Sequence, residues 1–169
     1  MGPLTAERIS QILLWPNPTH LEKLTLSNLK TSSYALAIVL SAMKQNRKLI
    51  CLEIDQIPIN NTKNFEYLSQ FLKVNRDIKS LKLSWCSFMP KQVVEIVQLI
   101  KRRKNLQFLD LSHNAMVTKS TNGNHAALLR TFITTMRRFI LRTSIFHLNL
   151  ENMMLGKTVG KLLHSIKNS

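Results

Sequence analysis

The sequence predicts one α/β domain over residues 1–169, a right-handed solenoid (horseshoe) of about five strand–helix repeats. A parallel sheet is expected on its concave side, with the helices on its convex side. Three observations predict this class. A short aliphatic pattern typical of a buried strand recurs at near-constant spacing. Each copy is followed by an apolar pattern of helical period. The 169 residues, 44% of them hydrophobic, suffice for the core of one domain.

The strand pattern has an aliphatic residue at its first, fourth and sixth places, and its copies begin near positions 21, 49, 78, 106 and 145. The first four starts are almost evenly spaced, and only the fifth follows after a longer interval. Chance does not explain this regularity. The five copies are Leu21-x-x-Leu24-x-Leu26, Leu49-x-x-Leu52-x-Ile54, Ile78-x-x-Leu81-x-Leu83, Leu106-x-x-Leu109-x-Leu111 and Ile145-x-x-Leu148-x-Leu150.

A helix is predicted after each strand, and the segment 5–15 predicts an N-terminal helix, or half repeat, without its own strand. Pro90 suits the first turn of its helix, because proline lacks an N–H that a first turn leaves unbonded anyway. The ends of the predicted solenoid are expected to pack on a partner chain or on further repeats. The five helices that follow strands are Ser33–Asn46, Thr62–Asn75, Pro90–Arg103, Asn124–Leu141 and Gly156–Lys167.

The fourth repeat, from Leu106 to the start of the next at Ile145, is clearly longer than its neighbours. The surplus falls mainly in the polar segment 115–125, which contains the turn-forming Asn122-Gly123-Asn124. Such an insertion is either a tolerated surface loop or a contact for a partner. The sequence leaves both interpretations open.

A strand and a full helix in each short, regular repeat resemble the ribonuclease-inhibitor type of leucine-rich repeat. The resemblance covers nearly the whole chain and implies protein recognition through the concave strands and their rims. Only two of the five ninth places carry the Asn or Cys usual in that family, so a thin buried polar ladder is expected. The ninth places are Leu29, Ile57, Cys86, Asn114 and Met153.

The concave face is predicted to bind a protein. Alternate strand residues point to opposite faces of a sheet, so the places between the inward aliphatic residues form this face. It carries four of the nine acidic residues and two of the 24 basic ones. Phe108 is notable because the repeat requires no aromatic residue at its place, and Trp85 is a candidate interface anchor. The predicted contact residues are Trp85, Phe108, Glu53, Asp55, Asp110, His147 and Glu151.

The basic residues collect where helices end and strands begin, and we call this set the basic edge. The net charge of +15 and the pI near 10.4 favour polyanionic partners. Cations at helix C-termini are favoured by the helix dipole, which explains one or two per helix but not the run 101–104. Its predicted polyanion-binding residues are Lys44, Arg47, Lys48, Lys73, Arg76, Lys101, Arg102, Arg103, Lys104, Arg137, Arg138 and Arg142.

Two functions fit these features. The first is a non-enzymatic protein-interaction scaffold, a subunit of a larger assembly whose basic edge docks a polyanionic surface. The second is a basic nucleic-acid-associated protein, such as a ribonucleoprotein component, that binds RNA phosphates through the edge. No catalytic, cofactor-binding or metal-binding residues, no cofactor and no membrane span are predicted. Two cysteines form no disulfide framework, so an intracellular location is expected: cytoplasmic, nuclear, or within an organellar or cytoskeletal assembly.

Overall fold

The computed structural model of the chain describes residues 1–14, 21–116 and 125–156, with the backbone alone at His125. It contains five helices and five strands in these residues. The helices are α1 (Pro3–Leu14), α2 (Ser33–Met43), α3 (Thr62–Val74), α4 (Pro90–Ile100) and α5 (His125–Arg142). The strands are β1 (Lys23–Ser27), β2 (Cys51–Asp55), β3 (Ser80–Ser84), β4 (Phe108–Asp110) and β5 (His147–Asn149).

The strands form one parallel sheet in the order β1-β2-β3-β4-β5. This confirms the predicted α/β class with a parallel five-stranded sheet, while the horseshoe curvature stays a prediction. Consecutive helices in the described part of the chain pack on each other. None of these helices is long and apolar enough to cross a membrane.

The core lies between the sheet and the helix layer. Leu52, Leu81 and Leu109, at the fourth place of their strand patterns, are fully buried in one cluster with Phe71 and Phe132 of the helices. Burying one side chain of this size contributes about 1.5–3 kcal/mol, so the repeated pattern is itself the main source of stability. The opposite side of the sheet is covered by none of the described helices, and we call it the open face.

Polar side chains fix where the helices begin. Ser32 accepts a hydrogen bond from the Ala35 amide at 3.1 Å at the start of α2. Asn61 accepts one from the Asn64 amide at 2.8 Å at the start of α3. These N-caps satisfy amides that the first helical turn leaves unbonded.

The long fourth repeat is explained in part by α5, which has 18 residues against 11 in α2 and 13 in α3. Most of the predicted insertion 115–125 and nearly all of the predicted last helix Gly156–Lys167 lie outside the described residues.

Candidate functional site

The parallel register brings five of the seven predicted contact residues together in rows that run across the strands. Residues of one row come from neighbouring repeats and stand side by side. The first row is Lys23, Cys51, Ser80, Phe108 and His147, and the second is Thr25, Glu53, Lys82, Asp110 and Asn149. The third row is Ser27, Asp55 and Ser84.

Two ion pairs neutralise the acids of β2. The Lys23 ammonium lies 2.9 Å from the Glu53 carboxylate, and the Lys82 ammonium lies 3.4 Å from that of Asp55. Asp55 also accepts hydrogen bonds from Ser84 at 2.5 Å and from Ser27 at 3.2 Å. The remaining acidic residues of the open face are Asp110 and Glu151, for which no ion pair is described. Sequence reasoning missed these pairs, although side chains one repeat apart are neighbours in such a fold.

Both carboxylates titrate below their ordinary range. A hydrogen bond from Lys23 is the main cause that lowers the pKa of Glu53, and it outweighs partial burial. For Asp55, burial is the largest influence and raises the pKa, but hydrogen bonds from Ser84 and Ser27 and the charge of Lys82 together lower it. A carboxylate whose pKa is depressed by folding stabilises the folded state only while it is ionised.

Replacing Asp55 with asparagine is expected to flatten the acid limb of the stability curve. Because the folded-state pKa of Asp55 lies below its ordinary value of 3.8, its stabilising effect is full above that value and is lost as the pH falls below it. The difference in unfolding free energy between wild type and Asp55→Asn, measured in urea from about pH 7 to about pH 2, should therefore shrink on acidification. A difference that stays constant over this range would contradict the assignment.

Asp110 is held by the chain itself. It is 6% exposed, accepts a hydrogen bond from the Ser112 amide at 2.9 Å and another from Asn149 Nδ2 at 3.3 Å. These two hydrogen bonds fix the position of the Asp110 carboxylate at the end of β4. Glu151, in the turn after β5, is exposed and presents its carboxylate at the rim of the open face.

Two aromatic–histidine pairs stand on the open face and its rim. The rings of Phe108 and His147 stack at 4.4 Å with an interplanar angle of 1°. The rings of Trp85 and His113 stack at 4.0 Å and 12°, and Trp85 remains 52% exposed. His113 was not among the predicted contact residues, although it lies one repeat after Trp85. We call these four rings the aromatic platform.

The backbone holds Trp85 and His113 at the rim in a strained conformation. The residue two places after the last aliphatic residue of each strand pattern has a positive φ, a region that non-glycine residues rarely adopt. Among non-glycine residues, asparagine tolerates a positive φ best, whereas tryptophan adopts it at a cost in free energy. The angles are 48° at Asn28, 56° at Gln56, 54° at Trp85, 59° at His113 and 54° at Asn152.

The cysteines are poorly suited to thiolate chemistry. Burial raises the pKa of Cys51, and the nearby Glu53 raises it further. Burial also raises the pKa of Cys86 strongly, and its thiol faces the carbonyl oxygens of Ile54 and Ser84 at 3.4 Å. Within the described ranges no three His, Cys, Asp or Glu side chains are grouped to hold a metal ion.

The residues of the basic edge differ in their contacts and in their position in the fold. Lys44 lies 5.6 Å from the centre of the Tyr67 ring, a cation–π contact that joins α2 to α3. Arg137 and Arg138 are exposed within α5 rather than in the turn after it, and Arg47 and Lys48 are exposed in the turn after α2.

Arg103 is not part of the exposed basic surface. It is 7% exposed, and its guanidinium donates hydrogen bonds to the carbonyl oxygens of Leu72 and Asn75 at the end of α3. Burial lowers its pKa, the charge of Arg76 adds to this effect, and Asp77 opposes it. Its inclusion among the polyanion-binding residues is corrected, because these bonds occupy its guanidinium inside the protein.

Arg103 belongs to a set of inter-repeat hydrogen bonds that sequence reasoning missed. Its place, shortly before each strand pattern, is occupied by Asn46 and Asn75 in the preceding repeats. Asn75 Nδ2 donates to the Asn46 carbonyl of the preceding repeat at 3.4 Å and to the Leu49 carbonyl of its own repeat at 2.8 Å. Asn46 Oδ1 accepts from the Leu49 amide at 3.0 Å. The recurring asparagine at a fixed place in the repeat was the available signal.

The remaining cations of the basic edge line two adjoining grooves that share Lys101, Arg102 and Lys104. One groove, of about 730 Å³, lies between the ends of α3 and α4 and also contains Lys73 and Arg76. The other, of about 480 Å³, lies towards the end of α5 and contains Arg142. We call them together the basic grooves.

The chain is similar in structure to two solved domains. It matches the tropomodulin C-terminal domain from Caenorhabditis elegans with a TM-score of 0.69, 9% identity, and coverage of 96% of this chain and 91% of that one. It matches actin-binding site 2 of leiomodin-1 with a TM-score of 0.62, 14% identity, and coverage of 96% and 87%. At these identities the likeness concerns the fold. No protein-family profile matches the chain, and no curated protein matches it significantly.

The resemblance to the ribonuclease-inhibitor type is therefore wrong as a family assignment, because the structural neighbours are tropomodulin and leiomodin domains. The physical reason is that the aliphatic spacing specifies only which strand residues point inward. Any family that pairs short parallel strands with covering helices satisfies it.

Proposed function

We propose that the chain is a non-enzymatic protein-interaction module that binds a protein on its open face through the aromatic platform. The observation that carries this proposal is the half-exposed Trp85, stacked on His113 and held at a positive φ. Large aromatic side chains in rigid positions lose little conformational entropy on binding and dominate the energy of many interfaces. Phe108 on His147 supplies a second anchor, and Glu53, Asp55, Asp110 and Glu151 the polar surroundings.

The structural neighbours suggest the first partner to test. The leiomodin-1 domain is named as an actin-binding site, and this chain shares its fold at 14% identity. Actin is therefore the first candidate, and a role as one subunit of a cytoskeletal or other intracellular assembly fits the two free cysteines. The exposed Leu4 and Ile12 of α1, at one end of the helix row, support packing against a further chain.

Replacing Phe108 with serine is expected to weaken binding of the protein partner by at least about tenfold, as does loss of a typical interface anchor. Co-sedimentation with actin filaments measures this first, and capture of proteins from lysate in the presence of nuclease follows. Trp85→Ser should act in the same direction.

Tyr34→Ser is the matched control, because Tyr34 is an aromatic residue of α2 that is 68% exposed and lies on the helix side. It should leave binding unchanged. If Tyr34→Ser and Phe108→Ser weaken binding equally, the open face is not the binding surface.

The alternative function is nucleic-acid association through the basic edge, which would also act as a second contact in the scaffold proposal. The cationic residues of the basic grooves favour it, whereas the residues described as lining these grooves include no aromatic ring for stacking bases. Phosphate-dominated binding weakens steeply with salt, so a titration from low to physiological salt separates it from binding at the open face.

A further inference from the structure

The basic grooves concentrate uncompensated positive charge. Besides the buried Arg103, six cationic side chains line the basic grooves. Asp77 is the one acidic residue among the described lining residues. The ion pairs in the described part of the chain are those on the open face, so none of the six is held in one of these. The six are Lys73, Arg76, Lys101, Arg102, Lys104 and Arg142.

Like charges at this density repel each other, so a ligand with several spaced negative charges gains more here than at a single exposed lysine. The shared position of Lys101, Arg102 and Lys104 makes the two grooves one track across the ends of three neighbouring helices. The ligand that fits this track is elongated and follows the direction in which the repeats stack.

The floor of the track distinguishes between acidic ligands. Leu99 and the amides of Gln98 and Asn105 lie among the cations, so the larger groove offers an apolar contact and neutral hydrogen-bonding groups beside the charge. An acidic peptide uses all three, since its carboxylates pair with arginine and lysine and its aliphatic side chains cover Leu99. Single-stranded nucleic acid finds no aromatic ring among the described lining residues on which its bases could stack.

We propose that the basic grooves bind an extended acidic peptide segment of a partner protein, with glutamate or aspartate side chains on Lys101, Arg102 and Lys104 and an aliphatic residue on Leu99. This inference rests on the proposed function in one respect, that the basic edge is the second contact of an interaction module. It identifies that contact as a peptide site separate from the open face.

The test uses a fluorescein-labelled peptide of glutamate with interspersed leucine, and fluorescence anisotropy with the whole chain. The double variant Lys101→Gln/Arg102→Gln is expected to weaken peptide binding by at least about tenfold. The matched control Lys63→Gln/Lys91→Gln removes the same charge at exposed places near the opposite ends of α3 and α4, and should change Kd less than about twofold. Circular dichroism confirms that each variant is folded.

Three results would overturn the inference: equal weakening by both double variants, equal affinity for a peptide in which glutamine replaces glutamate, or tighter binding of a labelled single-stranded or duplex RNA than of the peptide. The Phe108→Ser chain distinguishes the two proposals. If it binds the peptide normally but loses its protein partner, both stand. If the peptide fails to bind wild type while Phe108→Ser still abolishes partner binding, only the groove inference fails.

Discussion

Replacing Asn114 with alanine is expected to lower the free energy of unfolding by about 3–5 kcal/mol. The side chain is fully buried and joins two repeats. Its Nδ2 donates to the carbonyl oxygens of Leu83 at 2.7 Å, Leu111 at 3.0 Å and Ser112 at 3.1 Å. Its Oδ1 accepts from the amides of Cys86 and Phe88, both at 3.2 Å. Alanine leaves these buried groups without their partner.

Equilibrium unfolding in urea, followed by circular dichroism, measures this loss. Asn105→Ala is the matched control, because Asn105 is exposed in the turn before β4 and its removal should change the free energy of unfolding by less than about 0.5 kcal/mol. Asn114→Asp should also destabilise the fold, since it removes the donor and buries a charge. A loss below about 1 kcal/mol for Asn114→Ala would show that these inter-repeat bonds contribute little.

Replacing Arg103 with methionine is expected to lower the free energy of unfolding by about 2 kcal/mol. Methionine keeps an apolar stem, so the change isolates the two donors that satisfy the carbonyls of Leu72 and Asn75. The loss is smaller than for Asn114 because removing the charge also relieves repulsion by Arg76 and the cost of burying a cation. Arg103→Lys should not restore stability, since one ammonium lacks the planar fork that reaches both oxygens.

The neighbouring Arg102 provides the control for this change. Arg102 is exposed, so Arg102→Met should alter stability by less than about 0.5 kcal/mol while it removes the same charge from the same turn. If both variants unfold at the same urea concentration, Arg103 is not the structural residue that its hydrogen bonds indicate.

The sheet could be predicted from the sequence because its signal repeats. Leu52, Leu81 and Leu109 occupy the same place in consecutive repeats, and all three are fully buried. The ends of the helices could not. The predicted helices ran to Asn46, Asn75 and Arg103, whereas the structure ends them at Met43, Val74 and Ile100. The side chains of those three predicted end residues bond to backbone groups instead, and helical period does not reveal this competition.

The sequence predicted which residues lie on the open face better than it predicted the contacts that they make there. Alternation along the strands placed Phe108 and His147 on the open face, but it did not reveal that their rings stack. The composition of the face gave four acids and two bases, but not that Lys23 pairs with Glu53 and Lys82 with Asp55. Charge counting likewise placed Arg103 on the surface, because a sequence does not distinguish a solvated cation from one bonded to buried carbonyls.

The strand order determines which parts of the molecule can unfold separately. Each strand and helix of the described ranges touches the unit next to it in the chain, so within them no contact between distant repeats holds the two ends of the row together. Cooperativity therefore passes from neighbour to neighbour, and the short strands β4 and β5 can detach while β1, β2 and β3 remain paired. We expect the slowest amide exchange at the centre of β2 and β3, because each of these strands is paired on both sides.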